Sequence, residues 1–131
     1  MTKLTVLFLF AITYMNCGND NPVKPENLNP IIRSLTAFPE VIGPTDSVVI
    51  ICNAVDPDGD TLVYDWITDG RLKVQGALSN EHFLYNTHEN SHVFYPEAVR
   101  SPVDTPWVQC FARDGKGGQS VPKIVEFIVK Q

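Results

Sequence analysis

From Ile31 to the C-terminus, apolar and polar positions alternate or apolar residues cluster in short runs, each stopped by glycine, proline or aspartate. Alternation with a period of two sends successive side chains to opposite faces of a strand, and breakers at this spacing leave no room for a helix to propagate. Seven strands are predicted: Ile31–Phe38, Ser47–Val55, Thr61–Thr68, Arg71–Gln75, His92–Tyr95, Trp107–Arg113 and Lys123–Lys130. Between them stand Pro39, Gly43-Pro44, Pro57-Asp58-Gly59, Asp69-Gly70, Pro96, Pro102 and Gly115-Lys116-Gly117-Gly118, residues that favour turns for stereochemical reasons. The pattern predicts an all-β antiparallel sandwich over residues 31–131. Residues 77–91 read as an insertion before the fifth strand, with Phe83–Asn86 and His92–Tyr95 suited to pair as a hairpin.

The N-terminal pattern is different. Lys3 precedes a mainly apolar run from Leu4 to Met15, the length of a signal-peptide core and too short for the ~20 apolar residues of a membrane-spanning helix. Residues 1–16 are therefore expected to be a signal peptide. Cys17 follows directly, in the position of the cysteine that is lipidated in bacterial lipoproteins, although Tyr14-Met15-Asn16 depart from the usual small and aliphatic residues. The alternative is an ordinary leader that leaves Cys17 as a spare thiol. Residues 18–30, rich in proline and asparagine, read as an extended tether that would hold the folded part up to about 40 Å from a membrane.

With 131 residues less a leader, the chain has room for one domain and one core. Its formal charge of −5 becomes −6 if Lys3 leaves with the leader, nine basic residues then facing fifteen acidic ones. Nucleic acid and anionic lipid headgroups are poor partners for such a chain.

The stretch Ala54-Val55-Asp56-Pro57-Asp58-Gly59-Asp60-Thr61-Leu62-Val63-Tyr64-Asp65-Trp66 resembles the "A-x-D-P-D-G-D-x-L-x-Y-x-W" segment of bacterial extracellular immunoglobulin-like modules of the PKD and cadherin-like kind. Ala112-Arg113-Asp114-Gly115-Lys116-Gly117-Gly118 resembles their "V-x-D-G-x-G-G" turn. The likeness covers about residues 29–131. It implies an immunoglobulin-like sandwich of about seven strands in which Cys52 and Cys110 form an inter-sheet disulfide against Trp66. Cys17 would then be the odd cysteine, a liability in an oxidising compartment that acylation with a palmitate-type chain removes. The implied location is the bacterial cell envelope, outside the cytoplasm, on the outer membrane or cell surface in a diderm.

Three places carry candidate chemistry. Asp56, Asp58 and Asp60, with Asp114 from the other loop, offer carboxylates to a calcium ion; equally, aspartates in Pro-Asp-Gly sequences cap backbone amides in tight turns. His88-Glu89-Asn90-Ser91-His92 matches the HExxH pattern of zinc hydrolases, which needs the two histidines one helical turn apart; a solvated loop is the competing reading. If Cys110 and Trp66 face inward, Trp107, Phe111, Val63 and Ile67 share an outer sheet face that is apolar enough to mark a partner site. The sequence thus favours a noncatalytic, membrane-anchored module that recognises protein or glycan or joins a surface assembly. The alternative is a small zinc-dependent hydrolase built on His88, Glu89 and His92.

Overall fold

A computed structural model describes residues 24–77 and 81–131, so the leader, Cys17 and the first part of the expected tether lie outside the described residues. Eleven strands and no helix occur among the described residues: β1 (Ile31–Phe38), β2 (Val41–Ile42), β3 (Val48–Val55), β4 (Val63–Thr68), β5 (Leu72–Val74), β6 (Phe83–Thr87), β7 (Ser91–Pro96), β8 (Val103–Asp104), β9 (Trp107–Arg113), β10 (Lys123–Glu126) and β11 (Ile128–Lys130). They form two four-stranded sheets, β1-β3-β7-β5 and β10-β9-β4-β6, and a smaller β2-β11-β8 sheet. All pairings are antiparallel except β11 with β2. The chain is all-β and sandwich-like.

Alternation along each strand explains the layering. Val48, Ile50 and Cys52 of β3 point inward, as do Tyr64 and Trp66 of β4 and Val108, Cys110 and Ala112 of β9, while the residues between them are half-buried or exposed. Trp66 is the largest fully buried side chain and lies with its ring centroid 6.0 Å from that of Phe94 and 5.3 Å, edge-on, from the imidazole of His92. Burying an aromatic of this size between two sheets is among the larger single contributions a small core receives.

Three features differ from the expectation of seven strands. The predicted Lys123–Lys130 strand breaks at Phe127, whose ring turns into the core at 2% exposure, so that β10 pairs with β9 and β11 leaves for β2 and β8. Two-residue β2 and β8 are too short to produce a readable alternation. The expected hairpin between Phe83–Asn86 and His92–Tyr95 does not form either: β6 joins the edge of β4, whereas β7 inserts between β3 and β5 in the other sheet. Adding β6 to β4 hides Leu84 and seats Thr87 beneath the Trp66 indole, a gain that a local hairpin would forgo.

An ion-paired clasp ties the β4–β5 turn to β8. The Arg71 guanidinium bridges the carboxylates of Asp69 and Asp104, and its Nε donates to Asp69 Oδ2 at 2.7 Å. Burial alone would raise the Asp104 pKa, yet amide hydrogen bonds from Arg100 and Thr105 together with Arg71 hold it below the usual carboxylate value.

Candidate functional site

The turn between β3 and β4 and the loop between β9 and β10 meet at one end of the sandwich. Asp56 Oδ1 accepts from the amides of Asp58 at 2.9 Å and Asp60 at 3.1 Å, and Gly59, at φ 78°, completes the turn. Asp114 Oδ1 accepts from the amides of Lys116 at 2.7 Å and Gly118 at 2.9 Å. Gly118 is required by close approach, since a Cβ there would stand 2.1 Å from Asp114 Oδ2. The aspartates therefore act as caps of tight turns, one of the two readings of the motif.

The same turns bring carboxylates together. Ligand-capable oxygens of Asp56, Asp60 and Asp114 lie within 4.8 Å of one another. Asp58, expected in the same set, is not among them: its Oδ2 turns away and accepts the Leu28 amide at 2.6 Å. Asp56 Oδ2 and Asp60 Oδ2 have no hydrogen-bond partner and are shielded from solvent. Lys116 Nζ sits 2.6 Å from Asp60 Oδ1, and the Asn27 side-chain amide donates to Asp114 Oδ2 at 2.6 Å. The Asn27 bond, opposed by burial and reinforced by the amides of Lys116 and Gly118, keeps the Asp114 pKa below the usual carboxylate value. Asp60 in turn raises the pKa of Lys116.

Asn27 and Leu28 thus fasten the end of the expected tether to both loops, and residues 24–27 with Asp58 and Lys116 enclose a cleft of about 580 Å³. Neither Asn27 nor Lys116 was legible as a site residue, because an asparagine in a proline-rich stretch and a lysine in a glycine turn carry no spacing signal.

The HExxH segment has a different geometry from the one its chemistry needs. His88 and Glu89 are exposed in the turn before β7, whereas His92 lies on β7 with its ring against Trp66. His92 Nε2 is 3.2 Å from Thr87 Oγ1, the same hydroxyl that accepts the Trp66 indole N–H at 3.2 Å. Burial lowers the His92 pKa. A strand separates the residues by its own rise, so the two histidines do not share a helical face as zinc peptidases require.

Cys52 and Cys110 face each other across the core, both at 0% exposure, but they are free thiols 3.6 Å apart and the implied disulfide is not formed. Opposed strands of the two sheets, β3 and β9, bring them together. The hydrogen bond with Cys52 and burial push the Cys110 thiol pKa upward.

The outer face of the β10-β9-β4-β6 sheet has the alternation read from the sequence. Val63, Ile67, Trp107 and Phe111 all point outward and are half-buried. Cross-strand pairing sets Ile124, Gln109, Ile67 and Phe83 in one row across four strands, with Ile124 59% and Phe83 39% exposed. Tyr85 stacks on Phe83 at 4.8 Å. These two aromatics lie on β6, in the segment read as an insertion, and extend the face. Polar groups interrupt the face at Gln109 within this row and at Glu126 beside Trp107, and at one corner Arg113 reaches Asp65 at 2.8 Å and Asn86 at 2.7 Å. Compared with known families and curated proteins, the chain matches none.

Proposed function

We propose that this chain is a noncatalytic binding or structural module: one immunoglobulin-like sandwich of the PKD or cadherin-like kind, exported and held on the envelope by lipidated Cys17. The observation that carries this reading is the apolar outer face of the β10-β9-β4-β6 sheet, where Ile124, Phe83 and Tyr85 remain exposed beside Trp107, Ile67 and Phe111. A solvated sheet face is ordinarily polar, and a cluster of exposed and half-buried apolar side chains drawn from four strands, with Gln109 among them, supports a surface that is covered in use. In an oxidising compartment the adjacent Cys52 and Cys110 thiols close into the inter-sheet staple. The exposed His88 and Glu89, set apart from a core-facing His92, give no support to the zinc hydrolase alternative.

Two measurements test the reading. Intact mass and detergent-phase partition of the exported chain should show an acylated N-terminus that Cys17→Ser abolishes; a water-soluble, unacylated product would refute the anchor. A photo-crosslinker placed at Ile124 should give a discrete adduct on cells, and a crosslinker on the opposite sheet, at Ile51, should not. Equal or absent labelling from both would refute the binding face.

The loop end supports a second role, calcium binding by Asp56, Asp60 and Asp114, because two of their oxygens are shielded without partners. Calcium at millimolar concentration should then raise the melting temperature, and Asp60→Asn should abolish the rise. No shift would refute it.

A further inference from the structure

We infer that Asp58 is a spontaneous modification site: with Gly59 it closes to a succinimide that reopens to isoaspartate, and the change unfastens Leu28 from the loop end. The chain has three Asp-Gly pairs, Asp58-Gly59, Asp69-Gly70 and Asp114-Gly115. Glycine after aspartate is the least hindered partner for this ring closure, because no Cβ obstructs the approach of its backbone nitrogen to the aspartate side chain. Sequence therefore makes the three pairs equivalent. The fold separates them.

Asp69 accepts from the Arg71 amide and guanidinium and from the Trp107 amide, and its side chain is only 8% exposed. Asp114 is buried and accepts from the amides of Lys116 and Gly118 and from the Asn27 side chain. Turning either carboxyl carbon toward the next backbone nitrogen breaks several of these bonds at once. Asp58 is exposed, and its carboxylate accepts one bond, from the Leu28 amide at 2.6 Å. The attacking nitrogen, that of Gly59, is engaged by the Asp56 carbonyl at 3.2 Å, and no atom lies within 4 Å of the place a Gly59 side chain would take. An exposed turn held by so few bonds opens locally far more often than a packed loop.

Ring closure joins the Gly59 nitrogen to Asp58 Cγ. The Cγ–OH bond of the protonated carboxyl breaks, and water leaves with the amide proton. Water then adds to the main-chain carbonyl carbon of Asp58 and breaks its bond to the Gly59 nitrogen; addition at Cγ instead regenerates aspartate. The chain now runs through Cβ and Cγ, and the former carbonyl is a free carboxylate on Cα. Atoms balance, and nothing is oxidised or reduced. The side-chain oxygens that held Leu28 have been drawn into the backbone linkage, so residues 24–28 lose one of their two fastenings and keep the other, from Asn27 to Asp114. The cleft of about 580 Å³ that these residues enclose with Asp58 and Lys116 loosens as the protein ages.

The test is to hold the folded chain at neutral pH and physiological temperature for several weeks and map isoaspartate by electron-transfer fragmentation, which distinguishes it from aspartate at equal mass. Isoaspartate should accumulate at Asp58 and form at least about tenfold more slowly at Asp69 and Asp114, the factor that one additional hydrogen bond to a charged group supplies. In guanidinium chloride the three sites should react at similar rates, since only sequence acts there. Leu28→Pro removes the amide donor and should speed the reaction at Asp58 severalfold, with a thermal melt confirming the fold. In the aged chain, hydrogen exchange at the Leu28 amide should quicken while β9 stays protected. Equal rates at the three aspartates of the folded chain overturn the proposal, as does the same ranking in guanidinium chloride. An Asp58 that isomerises without loosening Leu28, or a rate unchanged by Leu28→Pro, overturns the coupling to residues 24–28.

Discussion

Replacing Trp66 with phenylalanine probes whether the core is organised around this one side chain. The indole is fully buried, touches Phe94, His92 and Tyr64, and donates to Thr87 Oγ1 at 3.2 Å. Phenylalanine leaves a void of roughly 40 Å³, which at about 24 cal/mol per Å³ costs about 1 kcal/mol, and the lost transfer energy of the missing atoms adds about as much. Loss of the donor adds about 1 kcal/mol at most, because the Thr87 hydroxyl keeps His92 Nε2 within 3.2 Å as a neighbour. The expected destabilisation is about 2–3 kcal/mol. In urea unfolding, with a slope near 1 kcal/mol per M for a domain of this size, the midpoint should fall by about 2–3 M. The control is Trp107→Phe, on the half-buried outer face, which should cost under about 0.5 kcal/mol. Since the chain has two tryptophans, that control also leaves Trp66 as the sole indole, and its emission should be blue-shifted in the native state and red-shifted on unfolding. Equal midpoints for Trp66→Phe and Trp107→Phe would refute the assignment of Trp66 as the centre of the core.

Four further outcomes follow from the same geometry. Gly118→Ala should destabilise by about 2 kcal/mol in the same urea assay, because its Cβ would collide with Asp114 Oδ2 in a loop already closed by two amide bonds. Arg71→Met should cost about 3 kcal/mol by calorimetry, since it strands the largely buried carboxylates of Asp69 and Asp104. Oxidation of the Cys52–Cys110 pair should stabilise the chain by on the order of 4 kcal/mol through closure of a long loop; a reductant should reverse the gain, and Cys52→Ala should show none. Burial depresses the His92 pKa below its unfolded value near 6.5, so the folded state binds fewer protons there; its contribution is complete above about pH 6.5 and lost as pH falls through the folded pKa. Unfolding midpoints measured across that window should slope upward with pH, and His92→Gln should flatten the slope.

Much of the sandwich was legible because a strand with one buried face must alternate. Ile31–Phe38 and Trp107–Arg113 match their predicted limits, and the inward set of Trp66, Val108, Cys110 and Ala112 follows from the period alone. Turn chemistry was legible for the same local reason: Asp56 and Asp114 cap amides within four residues of themselves. What alternation cannot say is which strand lies beside which. Phe83–Thr87 and Ser91–Pro96 are separated by a short turn yet belong to different sheets, because β6 closes over Trp66 at the edge of β4 while β7 fills the gap between β3 and β5.

The candidate sites divide along the same line. Local sequence determined that aspartates and glycines would form two tight turns, that Trp107 and Phe111 would share a face, and that Cys52 and Cys110 would point inward. Only the tertiary structure decided that Asp58 turns to Leu28 and leaves the carboxylate cluster, that Asn27 and Lys116 complete it, and that Phe83 and Tyr85 extend the apolar face. Period and turn propensity act over a few residues, whereas these contacts span from 16 to 87 positions of chain and exist only once two sheets have packed on Trp66.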